Sequence, residues 1–76
     1  MGTMRILDST GDTLVDWDVD DNATVREAEE VFARLTAERR IPFARPAGAP
    51  ADDAERITAF DPELEEIIWV RPVAGG

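Results

Sequence analysis

The 76-residue chain contains no cysteine and no histidine, and all eight of its basic residues are arginine, so it also lacks lysine. Without cysteine there is no disulfide framework, no thiolate nucleophile and no zinc finger. Without histidine there is no imidazole ligand and no general base of the usual near-neutral kind, so catalysis by this chain alone is not expected. Basic charge is scarce beside seventeen acidic residues, and the net charge of -9 repels phosphates and anionic headgroups. Direct binding to nucleic acid or to a membrane surface is therefore not expected, and the partners to look for are proteins with basic surfaces. No apolar run approaches the ~20 residues that cross a bilayer, and no basic start precedes an apolar stretch, which makes the cytoplasm the expected location and a monomer the expected state.

What is present fits one small domain. Hydrophobic residues make up 43% and charged residues 33%, inside the globular range. A chain of this size buries only ~60% of the surface its unfolded form exposes, so the core must be a single layer pair. A second methionine at Met4 fits a native start; residues 1–3 read as a cloning remnant, 4–72 as the domain and 73–76 as a flexible tail.

Met4 to Asp8 is β-prone, Ser9-Thr10-Gly11-Asp12 has turn composition, and Thr13 to Asp18 resumes with Leu14, Val15 and Trp17, which predicts an N-terminal hairpin. Val25, Ala28, Val31, Phe32 and Leu35 then fall on one helical face and predict a helix over about 24–39. Thr24 and Glu27 have capping-box spacing at its start. Glu27, Glu29 and Glu30 suit its positive end, and Arg39 and Arg40 its negative end. Ile41 to Arg45 predicts a short strand that Pro42 assigns to a sheet edge. The Pro-, Ala- and Gly-rich stretch from Pro46 to Ala54 predicts a mobile loop. Ile57 and Phe60 flank a short extended piece, Asp61-Pro62 marks a turn, and Ile67-Ile68-Trp69-Val70 predicts a strand over about 66–71 that is covered on both faces and central in its sheet. The fold class expected from this order is α+β: a hairpin, one helix on a small mixed sheet, and a central last strand parallel to the first, the ubiquitin-like β-grasp arrangement.

The chain from Glu66 through Arg71, Pro72, Val73 and Ala74 to Gly75-Gly76 resembles the ends of ubiquitin-like sulfur carriers, the molybdopterin-synthase small subunit and the thiamine-biosynthesis carrier. Those families close with an acidic residue, a strand, a proline-containing segment, a small residue and Gly-Gly; here Arg71-Pro72 stands where Pro-Pro is common. The resemblance implies that a ubiquitin-activating-type adenylating enzyme, using ATP, acts on the Gly76 carboxylate. Gly75 would give steric clearance in a narrow channel, and Arg71, Pro72, Val73 and Ala74 would be the segment that enzyme reads. The product would be a thiocarboxylate or an amide conjugate. No metal and no cofactor of the chain's own is expected. Lysine-free, the chain could be attached to another protein but not extended through its own side chains.

Three further signals compete with blander accounts. Asp16-x-Asp18-x-Asp20 with Glu27 imitates calcium-loop spacing, but Asp21 stands where the loop needs glycine, and solvated charge accounts for it better. Trp17 and Trp69 are first of all core residues; with Leu14 they otherwise mark an open sheet face on which a partner docks. The acidic clusters serve solubility or steer the chain to a basic groove. The alternative function is thus a noncovalent acidic module that docks a basic partner through the open sheet face without its tail. An acidic phosphate mimic that blocks a nucleic-acid-binding protein is a further form of it.

Overall fold

A computed structural model describes residues 1–8 and 11–70. The elements in chain order are β1 (Gly2–Asp8), β2 (Gly11–Trp17), α1 (Asn22–Ala37), β3 (Ile41–Arg45), a single 3-10 turn (Ala51–Asp53), β4 (Glu55–Arg56) and β5 (Glu66–Val70). The strands form one sheet in the order β2-β1-β5-β3-β4, in which β5 is parallel to β1 and antiparallel to β3. The expected small α+β architecture, with a central last strand and a mixed sheet, is therefore present.

The hairpin is tighter than its composition predicts. Asp8 pairs with Gly11, so two residues connect the strands where four were expected, and Gly11 takes φ 124°, a backbone state that glycine alone adopts without strain. β1 also begins at Gly2, two residues ahead of the boundary drawn at Met4. Thr3 donates its amide to the Glu65 carbonyl, and Gly2 is buried opposite Trp17. Both residues belong to the sheet.

The helix starts two residues earlier than predicted. Asp21, extended at φ −120° and ψ 97°, is the N-cap, and its carboxylate accepts from the Ala23 amide. The Thr24 hydroxyl, expected as the cap, instead donates to the carbonyls of Asp21 and Asp18 and accepts from the Asp18 amide, tying the end of β2 to the helix. Glu27 consequently falls in the second turn, and the first contains no acid. At the other end Arg39 and Arg40 lie beyond Ala37. Arg39 adopts φ 65°, its amide bonds the Thr36 carbonyl and the Arg40 amide bonds the Leu35 carbonyl, a Schellman closure with arginine in the position usually given to glycine.

β3 is not the edge that Pro42 predicted; the two-residue β4 lies outside it. The carbonyl of Pro42 accepts from the Ile57 amide, so its amide side turns toward β4 and away from β5. The missing N–H is thus lost where β4 has already ended, and the β5 ladder is unaffected. The stretch from Pro46 to Ala54 holds a turn closed by Ala49 to Pro46 and the 3-10 turn closed by Asp53 to Pro50. At Asp61 the side chain accepts from the Glu63 amide and the carbonyl from Leu64, an Asx-turn that sets the entry to β5.

One face of the sheet is closed by α1. Met4, Ile6, Trp17, Ile67 and Trp69 point inward against Ala28, Phe32 and Leu35, with Val25, Val31, Ile57, Phe60 and Leu64 around them. The helical face read from the periodicity is the face that packs.

Candidate functional site

Trp17 and Trp69 are 1% and 0% exposed, so neither belongs to an open docking face. The alternation of the strands decides this. Gly2 pairs with Trp17 and Ile6 with Trp69, and these positions share the face covered by the helix. The Trp17 indole N–H donates to the Pro62 carbonyl at 3.0 Å, and that of Trp69 lies 3.4 Å from the Met4 sulfur. Four of the five aromatics form a chain through the core: Trp17 edge-on to Phe60, Phe60 tilted against Phe32, and Phe32 edge-on to Trp69, at centroid distances of 5.1, 5.9 and 4.9 Å.

The fifth aromatic, Phe43, lies on the other face. Cross-strand partners carry a continuous row over all five strands there: Leu14, Arg5, Ile68, Phe43 and Arg56. With strands ~4.8 Å apart, the row spans about 19 Å. Leu14, the third residue expected on a docking face, is 58% exposed and does lie there. One step toward the C-terminal end of β5 the row holds the apolar Leu7, Val70 and Ile41, with Asp12 paired to Leu7 on β2. One step the other way is a polar row, Asp16, Thr3, Glu66 and Arg45, which satisfies itself. The Thr3 hydroxyl donates to Asp16 at 2.8 Å, and the Arg45 guanidinium donates to Glu66 in a half-buried ion pair.

Charge is divided between the surfaces. Glu27, Glu29 and Glu30 are exposed on the helix, and a cleft of about 590 Å³ between the β3–β4 connection and the chain before β5 is lined by Asp52, Asp53, Glu55, Glu63 and Glu65. A second cleft, about 340 Å³, opens where the end of α1 meets β3 and β4. Its charged lining is Arg39, Arg40 and Arg56, and no carboxylate lines it. Sequence reading missed this cleft, because its arginines come from the helix end and from β4 and only the fold brings them together.

Asp16 and Asp18, taken for a possible calcium ladder, serve other ends: Asp16 accepts from Thr3, and the Asp18 carboxylate accepts from the Asp20 amide. Among the described residues no group of three carboxylates is placed to hold a metal ion, and no helix is long and apolar enough to cross a membrane. The expected reactive end, Gly75 and Gly76, and the expected recognition segment Arg71, Pro72, Val73 and Ala74 lie outside the described residues. No family model, no curated protein and no solved structure matches the chain.

Proposed function

We propose that the protein is a ubiquitin-like carrier or modifier of β-grasp type whose Gly76 carboxylate is the group acted upon. The reading is supported by one observation above the others, the place of β5. It is the central strand, parallel to β1 and antiparallel to β3, and Gly76 follows its last residue, Val70, by six positions. A sheet held on both sides of β5 anchors the segment, and six residues reach at most ~20 Å when extended, enough to enter a channel that the domain cannot. The sheet order, with a helix crossing one face and an N-terminal hairpin, supports the β-grasp assignment.

The chemistry belongs to the partner. A Gly76 carboxylate oxygen attacks the α-phosphorus of ATP and pyrophosphate leaves; a sulfur donor or an amine then attacks the acyl carbon of the mixed anhydride and AMP leaves. The chain contributes the carboxylate and, at Gly75, backbone without a Cβ to obstruct the approach. The acidic helix and loops provide the charge that steers the domain toward a basic enzyme or acceptor surface.

The test is the intact mass of the protein recovered from its own cells, and of purified protein incubated with ATP, that organism's adenylating enzymes and either sulfide as the sulfur nucleophile or a cell extract as the source of amine acceptors. A thiocarboxylate, about 16 mass units heavier by replacement of O with S, or a conjugate through Gly76, is expected, and removal of Gly76 abolishes it. An unmodified carboxylate in both experiments overturns the reading.

A second reading has its own observation. Leu14 is 58% exposed in one cross-strand row with Ile68 and Phe43 on a face that α1 leaves uncovered, which supports noncovalent docking through the sheet independently of the tail.

A further inference from the structure

We infer that the open sheet face, together with the arginine-lined cleft at its edge, binds a protein segment in which carboxylates flank an apolar side chain. The inference rests on the docking reading of this face, not on the tail, and it reverses the sign of partner that the net charge of -9 predicts.

The argument is one of charge left over. Register places three acidic residues on this face, Asp12, Asp16 and Glu66, and the two whose side chains are described are already engaged, Asp16 by Thr3 and Glu66 by Arg45. Arg5 and Arg56, in the next row, have no ion-pair partner among the described residues, in a chain with more than twice as many acids as bases. They alternate with Leu14, Ile68 and Phe43 across the sheet, and Arg56 continues into the cleft that Arg39 and Arg40 also line. Arg40 is engaged locally, with Glu38 at 3.3 Å and the Leu7 carbonyl at 3.4 Å, so Arg39 and Arg56 are the groups offered to a ligand there. Guanidinium forks match carboxylates, and an apolar side chain from the partner covers Phe43 and Ile68 between them.

Charge also selects against the other occupants. A second copy docked face to face about a two-fold axis would bring Arg5 and Arg56 of each chain against those of the other, and the two carboxylates whose side chains are described on this face, Asp16 and Glu66, are already engaged. A nucleic-acid strand would find phosphate ligands in the arginines but would meet a strongly negative molecule around them. The patch is about 19 Å across by roughly three residue steps deep, well below the ~800 Å² per partner of a stable interface, so the complex is transient.

The experiment is amide chemical-shift titration of the full chain with three probes: a short peptide of alternating glutamate-leucine pairs, its lysine-leucine counterpart, and an oligothymidylate. The acidic peptide is expected to bind with a Kd below ~1 mM, to shift the amides of Arg5, Phe43, Arg56 and Ile68, and to lose at least ~tenfold in affinity in the R5E/R56E double variant. That variant is expected to gain binding to the lysine peptide while keeping a dispersed native amide spectrum, which a merely unfolded variant does not show. R26E/R34E, on the helix, leaves acidic-peptide binding unchanged. Absence of acidic-peptide binding at that concentration overturns the inference. So does equal binding of the lysine peptide by the unaltered protein, tighter binding of oligothymidylate, or shifts confined to α1. Removal of Gly76 is expected to change none of these results, so failure here and failure of the tail chemistry are told apart.

Discussion

The two faces of the sheet are built from the same strands by alternate residues, yet they solve opposite problems. Inward, Met4, Ile6, Ile67 and Trp69 meet a helix and a chain of four aromatics, and among the described residues no polar side chain is buried with them. Outward, Thr3, Arg5, Glu66 and Ile68 stand between those residues, and their polar partners are cross-strand neighbours within the sheet, Asp16 for Thr3 and Arg45 for Glu66. The inner face spends its side chains on packing, and the outer face keeps arginine beside apolar surface. The four-residue apolar run in β5 could be read as a strand covered on both sides, but only Ile67 and Trp69 are buried while Ile68 and Val70 are not. A continuous apolar run thus marks a strand with one face in the core and one face reserved for something else.

The largest expected effect breaks the inner face. Phe32 bridges Phe60 and Trp69 and is 6% exposed, so Phe32→Ala should cost ~3–5 kcal/mol, a large part of the stability of so small a domain. Denaturant unfolding checks it. A loss under ~1 kcal/mol would mean that the aromatic chain does not hold the helix to the sheet.

Next is Gly2, at the start of β1 on the inner face. A Cβ on Gly2 would lie 2.1 Å from the Trp17 ring and 2.7 Å from the Leu64 carbonyl, and the second is backbone that cannot swing away. Gly2→Ala should therefore cost ~1–3 kcal/mol and shift the indole resonance of Trp17 from its place on Pro62. An unchanged melting temperature would return Gly2 to the status of a dispensable leader.

Much of this division was legible in the chain. The helix's buried stripe follows from apolar spacing, because burial on one side imposes that spacing, and the hairpin from two apolar runs about a glycine-bearing turn; β5 is central as its apolar run suggests, although only one of its faces is in the core. The helix start was not, since Asp21 and Thr24 are both good caps and only the path of the chain from Trp17 decides between them. The edge was misread because β4 is two residues long and leaves no periodic pattern, so nothing announced a strand outside Pro42. The sides taken by Trp17 and Trp69 needed the register: shifting β2 by one residue would exchange Leu14 for Trp17 on the outer face, and shifting β5 by one would exchange Ile68 for Trp69. The arginine row was invisible for the same reason, as Arg5 and Arg56 become neighbours of one patch only through β5 and β3.

A smaller effect tests the lid of the inner face. Asp21→Ala removes the acceptor for the Ala23 amide and should cost ~1 kcal/mol, about 4–8 °C in melting temperature for a domain of this size. Thr24 still ties Asp18 to the helix in that variant, so the N-terminal turn should fray without the helix leaving the sheet. Amide exchange confined to the first turn is the expected signature, and exchange rising throughout α1 would make Asp21 part of the packing instead.

The smallest effect sharpens the comparison from the outside. Leu14 is 58% exposed and touches no part of the closed core, so Leu14→Ser should change stability by no more than ~0.5 kcal/mol. If the outer face were only the exposed back of a sheet, this substitution would be silent in every assay. On the docking account it weakens binding of the glutamate-leucine peptide while the unfolding curve stays in place, because the lost contact exists only in the complex. The joint result is what separates a patch kept for a partner from surface that merely failed to be covered. A variant that destabilises the fold and leaves the peptide titration unchanged would put Leu14 on the side of packing and dissolve the distinction between the two faces at β2.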